Sequence, residues 1–151
     1  MVEIVNRAAD WSPIVVPLDH TLTFTCTVEN IGPVPIRTKG PQPGTTYNTH
    51  QNYNTLGFFE EPGILRLGAD SEGNTEGRKY PYRWQLGRDD ELKTIDGQKY
   101  LMPGQRVTLV GHIQITDKPP KINPKYWLGL VHEQVEVVND FVEVVEITVD
   151  Y

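Results

Sequence analysis

LMPGQRVTLVGHIQIT, residues 101–116, decides the fold class of this chain. It opens on Pro103-Gly104, a turn pair, because proline pre-sets one backbone angle and glycine accepts the left-handed one. Beyond the turn, Val107, Leu109, Ile113 and Ile115 share one parity, with the small Gly111 between them. Arg106, Thr108, His112, Gln114 and Thr116 share the other, and only Val110 breaks the pattern. Side chains alternate across a pleat, so this spacing predicts a strand with one apolar and one wet face.

The same alternation recurs on both sides. From His20 onward, Leu22, Phe24, Cys26 and Val28 oppose Thr21, Thr23, Thr25, Thr27 and Glu29, and the run stops at the turn cluster Asn30-Ile31-Gly32-Pro33. Ile14-Val15-Val16, bounded by Pro17, reads as an edge strand, where the missing N–H does no harm; Val34-Pro35-Ile36 reads as an irregular edge. Tyr126, Leu128 and Leu130 oppose Trp127 and Val131, and in the last run Phe141, Val145, Ile147 and Val149 oppose Val142 and Val144. The prolines of DKPPKINPK, residues 117–125, favour an extended connector. No segment repeats apolar residues at three-and-four spacing with caps, so little helix is expected. The expectation is an all-β, antiparallel β-sandwich.

Between residues 37 and 100 the pattern weakens, and this region reads as a long insertion into one domain spanning 1–151. Residues 38–55 are rich in turn formers, Leu56 to Phe59 and Ile64 to Leu67 are short apolar pieces, and residues 68–77, GADSEGNTEG, read as an acidic loop. Tyr80, Tyr82, Trp84 and Leu86 share a side of a candidate strand, and Asp96-Gly97 offers a second hairpin turn.

At 151 residues the chain suffices for one real core. Its net charge of −6 argues against nucleic-acid backbone or an anionic membrane as the main partner, since both need a positive field. Cys26 is the single cysteine, which excludes an internal disulfide. No apolar run approaches the roughly 18 residues of a membrane span, and MVEIVNRAAD lacks the basic and apolar regions of a secretory leader. Direct membrane insertion of this segment is therefore not expected.

V-E-N-I-G at 28–32, L-M-P-G-Q-R-V-T-L at 101–109, Y-W-L-G-L at 126–130 and V-V-E-I-T-V at 144–149 follow one another in an order that resembles immunoglobulin-like sandwiches of two kinds. One is the bacterial cell-adhesion-related module of surface proteins. The other is the four-tryptophan central domain of autophagy receptors and its bacterial relatives. The likeness covers residues 20–36 and 101–149. It implies an immunoglobulin-like fold, a binding rather than a catalytic role, and an extracytoplasmic or membrane-attached setting through a parent protein.

Catalysis needs a nucleophile with a base and an orienting group, or a metal with an open position. Cys26, on the apolar parity, reads as an inert packed thiol. His20, His50, His112 and His132 are scattered; His112 and His132 could meet on neighbouring strands, yet no H-x-x-x-H spacing or second cysteine supports zinc. Asp70, Glu72 and Asn74 place oxygens at alternate positions, like the start of a calcium loop, without a glutamate at the twelfth position, so a solvated hairpin loop is the stronger reading. Asp89-Asp90-Glu91 reads as a charged loop tip. No cofactor is implied.

The remaining candidates are aromatic and amide residues: Tyr47, Asn48, His50, Asn52, Tyr53, Tyr82, Arg83 and Trp84. Flat amphipathic rings beside amides can stack on a sugar or grip a peptide, and the same rings also fill cores. The expected function is a non-catalytic interaction or spacer module of a larger bacterial surface or membrane-attached protein, with a protein or glycan partner. The alternative is a carbohydrate-binding module using these aromatics; a hydrolase or transferase using acidic residues of the insertion ranks last.

Overall fold

The computed structural model describes residues 2–4, 10–74, 77–121 and 123–150, and the regular elements among them are all strands. In chain order they are β1 (Val2–Ile4), β2 (Asp10–Ser12), β3 (Val15–Pro17), β4 (Thr21–Asn30), β5 (Ile36–Arg37), β6 (Thr46–Asn48) and β7 (Leu65–Ser71). There follow β8 (Tyr82–Gln85), β9 (Lys93–Ile95), β10 (Gln98–Leu101), β11 (Arg106–Gln114), β12 (Lys125–His132), β13 (Glu136–Glu146) and β14 (Thr148–Asp150).

β4 and β11, the two strands of cleanest alternation, pair antiparallel from Thr21↔Gln114 to Glu29↔Arg106. Their shared inner face carries Leu22, Phe24, Cys26, Val28, Val107, Leu109 and Ile113, all buried as the parity requires. They centre a five-stranded sheet in which β1 and β2 pair with β4, and β6 runs parallel to β11. A second sheet has the order β13-β12-β7-β8, antiparallel throughout. One apolar cluster, from Val2 to Val149, joins the two sheets into a β-sandwich. The join is aromatic: Phe24 and Trp84 meet edge-on at 5.0 Å, as do Trp84 and Tyr47 at 5.2 Å, the arrangement that aromatic quadrupoles favour. A three-stranded sheet, β5-β10-β9, and a parallel pair, β14 with β3, complete the fold.

Both expected turns form. Gly104 takes a φ of +77° and donates its N–H to the Asn30 carbonyl at 2.8 Å. Asp96 and Gly97, at φ +50° and +76°, make the two-residue hairpin between Ile95 and Gln98. Fully buried Asn30 donates to the carbonyls of Val34 and Leu101 and accepts from the Gly32 N–H, so one amide ties the V-E-N-I-G turn to the end of β10.

The reading of residues 37–100 as an insertion is corrected. β7 and β8 supply two of the four strands of the second sheet, and Tyr47, Leu65, Leu67, Ala69, Tyr82, Trp84, Leu86 and Leu92 belong to the core. The residues expected to open an acidic loop, Gly68 to Ser71, are the second half of β7. Every residue of β7 and of β8 is buried, on both faces, although Arg66 and Arg83 alternate with the apolar side chains around them.

Regular alternation fails in β13. Tyr126, Leu128 and Leu130 of β12 oppose Val145, Val142 and Val138, so two residues of advance on β12 match three, then four, on β13. The extra residues are bulges, and the left-handed backbone falls there, at Asn139, Phe141 and Glu143 with φ near +50°. Val138, Val142 and Val145 consequently pack on the core together. Phe141, expected to share a face with Ile147 and Val149, instead projects outward.

Candidate functional site

β8 divides the aromatic candidates. Tyr82, Arg83 and Trp84 are consecutive strand residues, so the outer two and the middle one must face opposite ways. Tyr82 and Trp84 turn inward to Tyr47, with ring centroids 5.2 Å apart in each case, while Arg83 turns outward to Tyr53. Tyr47, Tyr53 and Trp84 are fully buried and Tyr82 nearly so. None of these rings offers an open face to a ligand, contrary to the expectation of an aromatic platform. Asn48 and Asn52 fold their own turns: the Asn48 side chain accepts from the His50 N–H at 2.8 Å, and that of Asn52 from the Thr55 N–H at 3.0 Å. His50 is exposed and pairs with Asp117 at 2.9 Å.

Beneath Tyr53 lies a cluster of buried charge. Arg66 of β7 and Arg83 of β8 project from the outer face of the second sheet and meet Glu133, just past β12. Arg66 Nη1 donates to Glu133 Oε1 at 3.1 Å, and Arg83 Nη1 donates to both carboxylate oxygens, at 2.9 and 2.7 Å. Burying two cations and an anion costs several kcal/mol per ion unless pairing and hydrogen bonds replace the lost water. Here backbone carbonyls add to the pairing: Lys39 accepts from Arg66 Nε, Tyr80 from Arg83 Nε, and Lys79 from Arg83 Nη2. The Tyr53 ring lies 3.9 Å from the Arg83 guanidinium carbon, within cation–π range. Its hydroxyl donates to Glu60; burial and that bond push the Tyr53 phenol above its ordinary pKa, and the same bond holds Glu60 below the usual carboxylate range. The segments before β7 and between β7 and β8 thus fold over the outer face of these two strands.

Tyr80 is the other half of this cover. Sequence parity puts it beside Tyr82, but a φ of +49° turns it onto the opposite face. Its ring rests where Gly68 and Gly129 have no side chain; a Cβ there would come within 2.8 and 2.5 Å of Tyr80 atoms. The hydroxyl donates to Asp140 and accepts from the Phe141 N–H at 3.0 Å, pinning the β13 bulge.

Asp70, Glu72 and Asn74 do not converge on a common point. Asp70 accepts from the N–H groups of Ser71 and Tyr80 and from the Asn74 amide, closing the β7–β8 connection, and its pKa is raised by burial. Glu72 turns away to the Lys125 N–H and the Lys121 ammonium. His112 and His132 lie in different sheets, so they do not meet on neighbouring strands; His112 is hydrogen-bonded to Thr23 at 2.8 Å. Among the described residues no group of three His, Cys, Asp or Glu side chains is arranged to hold a metal.

Exposed apolar side chains lie elsewhere: Ile14, Val15, Ile31, Val34 and Phe59 singly or in short runs, and a further group around β13. On the outer face beside Tyr80, half-buried Trp127 and Phe141 stand 4.7 Å apart, with Phe141 53% exposed. Val144 is exposed along the same strand and Val135 just before it. Beside Val135, a cleft of about 570 Å³ is lined by Glu60, Arg83, His132, Glu133 and Glu136. Trp127 was within reach of sequence reasoning, being a large ring on the outward parity of β12. Phe141 was not, because only the bulge turns it out.

No family model matches the chain, and no curated protein matches it. Among solved structures it is similar to a Pseudomonas fluorescens alkylpurine DNA glycosylase bound to DNA containing an abasic site analog, with TM-score 0.49 and 12% identity over 99% of this chain and 30% of that one. It is also similar to a β-glucosidase from Erythrobacter marinus, with TM-score 0.44 and 10% identity over 99% of this chain and 15% of that one. The chain thus spans less than a third of either protein. Fold and face define a class: an all-β sandwich domain whose central aromatics and charges are internal and whose bulged edge is aromatic and open.

Proposed function

We propose that this chain is a non-catalytic accessory module that docks or spaces a protein partner, within a larger bacterial surface or membrane-attached protein. The observation that carries this reading is the division of its aromatic side chains. Tyr47, Tyr53, Tyr82 and Trp84 hold the sandwich and its cover together, whereas Phe141 and part of Trp127 remain at the surface, where aromatic residues contribute strongly to protein interfaces. The parallel pairing of β3 with β14, the pairing of β2 with β4 and the order β13-β12-β7-β8 favour the immunoglobulin-like form of the sandwich. The sugar-binding alternative loses its support, since the rings on which it rested are covered.

A photoreactive phenylalanine analogue placed at position 141, and separately at Thr108 on the far face of the first sheet, tests this in the full-length protein in its own cells. Docking predicts a discrete protein adduct from position 141 and none from position 108. Absence of any adduct at 141, together with glycan-array binding by the isolated chain, contradicts it.

A further inference from the structure

We infer that a cavity at one end of the sandwich interior, where β12 and β13 approach β1, binds a small primary amine with a compact apolar body. The site is separate from the Trp127–Phe141 face, and the inference stands apart from the docking reading.

Strand parity places the site. Leu128, Leu130 and His132 share the inward side of β12, and the residues directly across from His132 are Leu65 on β7 and Glu136 on β13, so all three lie on one face. The inward positions that precede this row, Leu67, Leu128, Leu130 and Val138, are apolar and lie in or against the core. At the last cross-strand pair the pattern changes to an imidazole and a carboxylate. Beyond it lies a cavity of about 260 Å³, lined by Val2, Ile36, Leu65, His132, Glu136 and Val138.

Four apolar side chains thus surround two polar ones, and among the described residues neither the Glu136 carboxylate nor the His132 ring makes a hydrogen bond or ion pair. The neighbouring cations are committed elsewhere. Arg37, next to Ile36, is bonded to Gln98 and Glu61, and Arg66, next to Leu65, points to the outer face and Glu133. An ammonium group carries three donors, so one such head can reach both the carboxylate and an unprotonated imidazole nitrogen while its carbon body rests on the apolar lining. Beside that lining the ion pair is less screened than at an open surface. An anionic ligand would meet Glu136 as a like charge, and a neutral one would leave it without a counter-charge. The volume falls below the range of drug-sized pockets, so the body is compact. An inward-pointing charge is also a way for an edge strand to avoid pairing, but that role needs neither the imidazole opposite nor an open apolar floor.

The test is an NMR titration of the intact chain with isoamylamine, isoamyl alcohol and isovalerate, which share a branched carbon skeleton and differ in the head group. The amine is expected to shift the amides of Leu65, His132, Glu136 and Val138, to leave the Trp127 indole unmoved, and to bind at least about tenfold more tightly than the alcohol. Isovalerate should not bind. Glu136→Gln, at an exposed side chain, should fold normally and bring the amine down to the level of the alcohol. Val138→Phe should fill the cavity and abolish binding of both. The inference is overturned if the amine shifts nothing, if the alcohol binds equally, if Glu136→Gln changes nothing, or if equal shifts appear at Asp89, Asp90 and Glu91, the mark of general attraction to an acidic chain. Much tighter binding of the tripeptide Leu-Gly-Gly than of isoamylamine would overturn it too, by making the occupant a chain terminus.

Discussion

The Tyr47 hydroxyl donates to the Arg83 carbonyl at 2.6 Å and accepts from the Arg83 N–H at 3.3 Å. Tyr47 stands on β6, in the first sheet, and Arg83 on β8, the last strand of the second, so one hydroxyl satisfies the free backbone edge of β8 from across the sandwich. Burial raises the Tyr47 phenol well above its ordinary pKa, which keeps the hydroxyl protonated for that donation. Tyr47→Phe keeps the ring and strands a buried N–H and C=O. The expected loss is about 1–3 kcal/mol in urea unfolding.

Gly111 lies directly across from Phe24 in the β4–β11 ladder. A Cβ at that position would sit 2.3 Å from Phe24 Cε2 and 2.8 Å from Trp84 Cζ2, inside the aromatic join of the two sheets. Gly111→Ala should therefore destabilise by about 1–3 kcal/mol or more through overpacking. Adding Phe24→Leu should give a double variant less damaged than the sum of the two single changes, as expected for residues in contact. Strict additivity in the unfolding free energies would contradict this account of the glycine.

Among the described residues, Glu133 is the single carboxylate hydrogen-bonded between the two buried guanidinium groups. Glu133→Gln leaves both cations in place without their counter-charge, and removing one member of a buried ion pair costs about 3–5 kcal/mol. Thermal and urea unfolding should show a loss of that order. A loss below about 1 kcal/mol, typical of surface pairs, would mean that water reaches the cluster.

Burial, reinforced by Glu143, pushes the Cys26 thiol from an ordinary 9.0 to about 12. The folded chain keeps this proton while the unfolded thiol releases it, so the contribution to stability is complete below pH 9 and declines as pH rises towards 12. The slope tends to a limit of about 1.4 kcal/mol per pH unit. Between about pH 8.5 and 9.5, where the unfolded thiol titrates ahead of most tyrosine, Cys26→Val should flatten part of the fall in urea stability. Equal slopes in the two proteins would contradict the burial of the thiol's charge.

What could be read from the sequence followed one physical condition: a strand declares itself when one face is wet. β4 and β11 meet that condition, and their inward residues and the turns at Pro103-Gly104 and Asp96-Gly97 were legible, though not their pairing or register. β7 and β8 do not meet it, because the core lies on one side and the Tyr53–Tyr80 cover on the other; β8 was still legible as a strand from Tyr82 and Trp84, but both strands were assigned to an insertion rather than to the second sheet. The candidate site suffered from the same blindness. Arg66 and Arg83 resemble surface cations until Glu133, at least fifty residues downstream of either, is brought to them. Tyr80 and Phe141 change face through left-handed backbone that no parity rule anticipates.

Amide hydrogen exchange, followed residue by residue, tests most directly whether residues 37–100 belong to the framework. The fold described here predicts that the ladder amides of 65–71 and 82–85 exchange as slowly as those of 22–28 and 107–113, through the same global opening. Fast, loop-like exchange in 65–71 and 82–85 beside strong protection in β4 and β11 would contradict it.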